Sequence, residues 1–142
     1  MQVMLSRATR VALGTLVPAL LACAAGERRT EMEIAGVGRV TLLNMDRDAM
    51  ARDCLDEKLR ELTALVRSGQ LEPARVKIDR DHTIVKDVLR ERTLELHLER
   101  GDTVLYVPVK HHGTRLVEKA GDDYRLLGVP ADRRIDFEAC LR

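Results

Sequence analysis

The stretch ARDCLDEKLRELTALVRSG, residues 51–69, decides the fold. Ala51, Cys54, Leu55, Leu59, Leu62, Leu65 and Val66 fall in one broad stripe at 100° per residue, while Arg52, Asp53, Asp56, Glu57, Arg60 and Glu61 point elsewhere. That periodicity predicts one amphipathic helix of about 20 residues with one face for a core. Asn44 or Asp46 can cap it, Asp46 and Asp48 suit the positive end of its dipole, and Gly69 is placed to stop it.

On both sides of the helix the pattern changes to strands. Residues 31–43 are rich in Val, Ile and Leu, and Gly36 and Gly38 mark a turn or bulge between one or two short strands. Beyond the helix, strands are predicted at Val76–Ile78 and Thr83–Leu89, around the polar turn Asp79-Arg80-Asp81-His82. Leu94, Leu96 and Leu98 alternate with polar residues, Gly101-Asp102 supplies a turn, and Val104–Val109 returns, with Pro108 suggesting an edge or a bulge. Turns at His112-Gly113 and Gly121-Asp122-Asp123 separate Arg115–Val117 from Tyr124–Val129. Ile135, Phe137, Ala139 and Leu141 alternate as a last strand or, failing that, a short helix capped by Asp132. The expected class is α+β, one main helix packed on a largely antiparallel sheet.

Composition narrows the function classes. Aromatic residues make up 2% of the 142-residue chain and Trp is absent, which argues against stacking platforms for single-stranded nucleic acid or sugar. The formal charge is +1, and setting aside Arg7 and Arg10 leaves 22 basic against 23 acidic residues. A near-neutral surface offers no broad attraction for DNA or RNA, so no nucleic-acid partner is expected.

The N-terminus carries an address. Arg7 and Arg10 precede an apolar run from Val11 to Ala22, and no acidic residue occurs before Glu27. This is the order of a secretory signal, and about twelve apolar residues interrupted by Gly14 and Pro18 are too few to span a bilayer core that needs roughly 20. Leu20-Leu21-Ala22-Cys23 resembles the lipobox of bacterial lipoproteins. The resemblance implies cleavage before Cys23, a diacylglyceryl group on its thiol and, from Ala24 at the next position, an outer-membrane address facing the periplasm. Ala22-Cys23-Ala24 also satisfies the small-x-small rule for ordinary cleavage after Ala24. The expected organisation is a signal sequence over 1–22, a lipidated cysteine and tether over 23–30, and one α+β domain over 31–142.

Cys54 and Cys140 are then the remaining thiols, and an oxidising compartment favours a disulfide between them, closing about 86 residues. The alternative is two separate buried thiols.

Chemical motifs are sparse. The chain has no P-loop, GxGxxG, GxSxG, HExxH or CxxC, and no catalytic residue or cofactor is expected. Asp79-x-Asp81 resembles the opening of a calcium loop, but Ile84 stands at the glycine position and Arg90 at that of the bidentate glutamate. His111 and His112 are the candidate metal ligands, although adjacent strand residues face opposite ways. His112-x-Thr114 resembles half of the paired signature of two-histidine phosphoesterases, and neither His82 nor His97 supplies the other half. Glu91, Glu95, Glu99 and Glu118, spaced between apolar residues, read as an exposed sheet face. The reading is a non-enzymatic envelope lipoprotein that contacts another envelope protein and the membrane through its lipid. The alternative is a small-ligand or metal-binding envelope module.

Overall fold

Gly36 at φ 83° and Gly38 at φ 115° close the first hairpin in a backbone region that side chains with a Cβ rarely adopt. The strands it joins are β1 (Arg29–Ile34) and β2 (Gly38–Leu43), paired antiparallel from Ile34 opposite Gly38 to Arg29 opposite Leu43. The computed structural model describes residues 28–98, 103–111 and 115–142. β1 begins two residues before the expected start of the domain.

The remaining elements are α1 (Arg52–Arg67), β3 (Glu72–Ile78), α2 (Thr83–Arg90), β4 (Thr93–His97), β5 (Thr103–Pro108), β6 (Arg115–Ala120) and β7 (Asp123–Gly128). The strands form one sheet in the order β1-β2-β4-β5-β6-β7-β3, and every neighbouring pair is antiparallel. The α+β class and the single long helix are as the sequence predicts. Among the described residues, no helix is long and apolar enough to cross a membrane.

Period-two alternation divides the apolar side chains between two faces. On one face Val40, Leu42, Leu94, Leu96, Leu105, Val107 and Leu116 meet Leu55, Leu59, Leu62 and Leu65 of α1. Each fully buried leucine contributes roughly 1.5–3 kcal/mol relative to exposure. On the other face Leu43, Tyr106, Val117 and Tyr124 pack with Val85 and Val88 of α2.

The C-terminal end of α1 follows the glycine signal: Gly69 takes φ 72°, its N–H donates to the Val66 carbonyl, and the Gln70 N–H reaches the Leu65 carbonyl. The N-terminal end does not follow the expected caps. The helix starts at Arg52 behind Ala51, which makes no side-chain cap, and it is 16 residues long. Asn44 sits instead at φ 60°, and its side-chain amide donates to the carbonyls of Leu89 and Glu91 at 3.1 and 2.8 Å. Met45 and Met50 are drawn into the core, which holds residues 45–50 out of the helix.

Three further expectations are corrected. Thr83–Leu89 is not a strand: the His82 ring accepts the Ile84 N–H at 3.1 Å, and burial of Val85 and Val88 three residues apart follows helical spacing. Here tertiary burial overrides the β preference of Thr83, Ile84 and Val85. Pro108 lies neither on an edge strand nor at a bulge, but at the last position of the interior strand β5, opposite Thr93. The C-terminal stretch is no strand either. Ile135 and Phe137 are buried, short 3-10 turns flank them at Ala131–Arg133 and Glu138–Cys140, and Asp136 rather than Asp132 accepts a turn N–H, from Ala139. This segment covers the end of α1 instead of extending the sheet.

That covering is made covalent. Cys54 and Cys140 form a disulfide with a Cα–Cα separation of 5.5 Å, inside the limit of about 7 Å for unstrained bridging. Around it the Ala51 N–H donates to the Cys140 carbonyl at 2.7 Å, and the Arg142 N–H donates to the Ala49 carbonyl at 3.0 Å. With 86 residues in the closed loop, Cys140→Ser is expected to lower stability by roughly 2–4 kcal/mol in urea unfolding while far-ultraviolet dichroism stays near that of the parent. A loss below about 0.5 kcal/mol would show that the bridge does not constrain the unfolded chain.

Candidate functional site

Leu94 and Leu96 face α1, so the alternation of β4 sends Thr93, Glu95 and His97 to the opposite face. Glu95 there is only 4% exposed, which corrects its expected place on an open sheet face. A buried carboxylate needs partners, and it has two. Arg29 Nη2 donates to Oε2 at 2.9 Å and to Oε1 at 3.2 Å, and His97 Nε2 lies 2.8 Å from Oε1.

The chain of contacts extends one step further. Arg39 Nη2 lies 3.0 Å from His97 Nδ1. A guanidinium can only donate, so Nδ1 accepts and the imidazole proton sits on Nε2, directed at Glu95. The network Arg29–Glu95–His97–Arg39 thus joins β1, β4 and β2 across one face. Thr41, opposite both Glu31 and Glu95 in the register, is buried with its hydroxyl unpartnered.

A second polar group surrounds His111. Its Nε2 lies 3.4 Å from Glu91 Oε2 and 3.4 Å from Arg115 Nη1, and Arg115 Nη2 lies 3.7 Å from Asp87 Oδ2. Despite this approach, Glu91 Oε2 is buried without a hydrogen-bond partner. Beside it Glu91, Arg92, Val109, Lys110, Glu138 and Leu141 line a cleft of about 120 Å³.

The sequence candidates distribute unevenly over these features. Cys23, His112 and Glu99 lie outside the described residues. Cys54 and Cys140 are joined to each other. His111 faces a guanidinium, which opposes a cation at the same nitrogen, and among the described residues no group of three or more His, Cys, Asp or Glu side chains could hold a metal ion. Glu91 and Glu118 are half-buried. The Glu95 network is what sequence reasoning missed. Its local half was visible, because Glu95-x-His97 in a strand puts both groups on one face; Arg29 and Arg39 arrive through pairings 66 and 58 residues long.

Chemically, the network holds an imidazole in one tautomer and seals a carboxylate. The arrangement ties β1, β2 and β4 together through side chains as well as backbone. Glu95→Gln would set an amide N–H₂ against one of two donors, Arg29 or His97, and is expected to cost about 1–3 kcal/mol in thermal or urea unfolding. Asp46→Asn, which weakens the exposed Arg28–Asp46 pair at 2.8 Å, should cost less than about 1 kcal/mol. Equal losses in the two variants would remove the distinction.

No family model matches the chain, no curated protein matches it, and no solved structure matches its fold, so a functional reading has to rest on the residues themselves.

Proposed function

We propose that the chain is an exported envelope lipoprotein, held to the outer membrane through Cys23 and facing the periplasm, which acts by binding another envelope protein. The observation that carries the reading is the Cys54–Cys140 disulfide, because such bonds persist in oxidising compartments and are rare in the reducing cytosol. The leader agrees with it: Arg7, Arg10 and the apolar run to Ala22 read as a secretory signal, and Leu20-Leu21-Ala22-Cys23 as a lipobox. Two or more acyl chains on the mature N-terminus give stable anchoring at about 0.8 kcal/mol per buried methylene.

The cleft between Arg92 and Glu138, at about 120 Å³, is below the roughly 300 Å³ at which ligand pockets begin and does not by itself support the alternative reading of a small-ligand module.

Three measurements test the proposal. Residues 1–25 fused to a reporter active only outside the cytoplasm should give activity, and a silent but well-expressed fusion refutes export. Metabolic labelling with a fatty-acid analogue should mark the native chain and vanish in Cys23→Ser; label that persists in the variant refutes lipidation at this cysteine. In-cell crosslinking should trap the chain with one envelope protein in a stoichiometric adduct, and migration as an uncrosslinked species alone would sink the contact reading.

A further inference from the structure

The sheet has two edges, and they are built differently. β3 closes one of them with Pro73, which has no N–H, and its register against β7 breaks between Pro73 and Lys77. Both devices blunt an edge against further pairing. β1 forms the other edge, six residues long, without a proline or a bulge.

The hydrogen-bond alternation of β1 fixes which peptide groups stay open. The Asn44 N–H donates to the Arg28 carbonyl at 2.7 Å, so even-numbered residues of β1 bond to β2 and the peptide groups of Arg29, Glu31 and Glu33 point outward. α1 takes the turn end of this edge: Arg52 Nη2 donates to the Glu33 carbonyl at 3.0 Å, and Arg60 Nε donates to the Ala35 carbonyl at 3.1 Å. Among the described residues, the N–H groups of Arg29, Glu31 and Glu33 and the carbonyls of Arg29 and Glu31 have no partner strand. Glu31 and Glu33 are exposed beside them and form no ion pair with the described residues.

We propose that β1 receives an extended segment of a partner polypeptide, which adds to the sheet as an eighth strand and carries basic side chains at alternating positions opposite Glu31 and Glu33. This rests on the contact reading above and names the surface and chemistry of that contact. Main-chain hydrogen bonds to the open peptide groups hold the segment, and the two glutamates select it. A second copy of the chain fits less well. Antiparallel β1–β1 pairing centred on Glu31 or Met32 sets glutamate against glutamate, and pairing centred on Thr30 requires Arg29, which Glu95 already holds.

The test uses the processed, oxidised chain and two capped heptapeptides, one alternating lysine with valine and the other glutamate with valine. Backbone amide shifts should change at Arg29, Glu31 and Glu33 on adding the lysine peptide, with affinity about tenfold or more above that of the glutamate peptide. Glu31→Pro removes one outward N–H and none of the β1–β2 hydrogen bonds, and should abolish these shifts. The double variant Glu31→Lys with Glu33→Lys leaves the backbone intact and should reverse the peptide preference. No shift with either peptide, equal affinities, an unreversed preference, or concentration-dependent pairing of β1 with itself would each overturn the proposal. Such a result leaves the in-cell crosslinking outcome untouched, so failure at this edge and failure of the contact reading are separable.

Discussion

A seven-stranded sheet has two faces to shield, and this chain has one long helix with which to shield them. The stripe of Leu55, Leu59, Leu62 and Leu65 covers one face, aided by Ile135 and Phe137. The other face is divided. α2 is only eight residues long and covers the apolar half around Leu43, Tyr106 and Val117. At Arg29, Arg39, Glu95 and His97 the chain substitutes ionic side chains for apolar ones. Glu95 becomes buried because Arg29 and His97 close over it, and Arg39 fixes the imidazole in turn. Such a network is worth little as net stabilisation, but removing one partner is costly because it leaves a buried charge uncompensated.

Local signals were the ones the sequence made legible. Gly36, Gly38 and Gly69 announced backbone conformations that the structure adopts at positive φ, and the 3.6-residue spacing of the leucines located α1. The β4–β5 hairpin followed from strict alternation. The failures share a cause, namely that a distant segment decided them. Residues 45–50 stay out of α1 because Met45 and Met50 are buried in the core and the backbone of Ala49 and Met50 is held by Arg142 and Leu141. Thr83–Leu89 carries β-branched residues yet folds as a helix, since only that spacing places Val85 and Val88 together against Tyr106 and Val117. The C-terminal alternation of apolar residues was real as burial and misleading as strand.

The polar site was half legible for the same reason. Two-residue spacing put Glu95 and His97 on one face, but spacing alone does not say whether a face is wet, and Arg29 reaches Glu95 only through the order of three strands. The cysteine pairing was reached by elimination, and geometry supplied what elimination could not, the approach of the two backbones to 5.5 Å.

The position of the Arg29–Glu95 clamp along β1 has a mechanical meaning. In the antiparallel hairpin, the first residue of β1 lies opposite the last residue of β2, at the end of the sheet where the preceding chain arrives. Tension that draws β1 and β2 apart at this open end peels them rung by rung rather than shearing all the rungs at once. The clamp sits on the first rung, with the Arg28–Asp46 pair and the Asn44–Arg28 hydrogen bond just ahead of it. Peeling from this end therefore has to part those two contacts and then uncover a buried carboxylate before the remaining rungs of the hairpin separate.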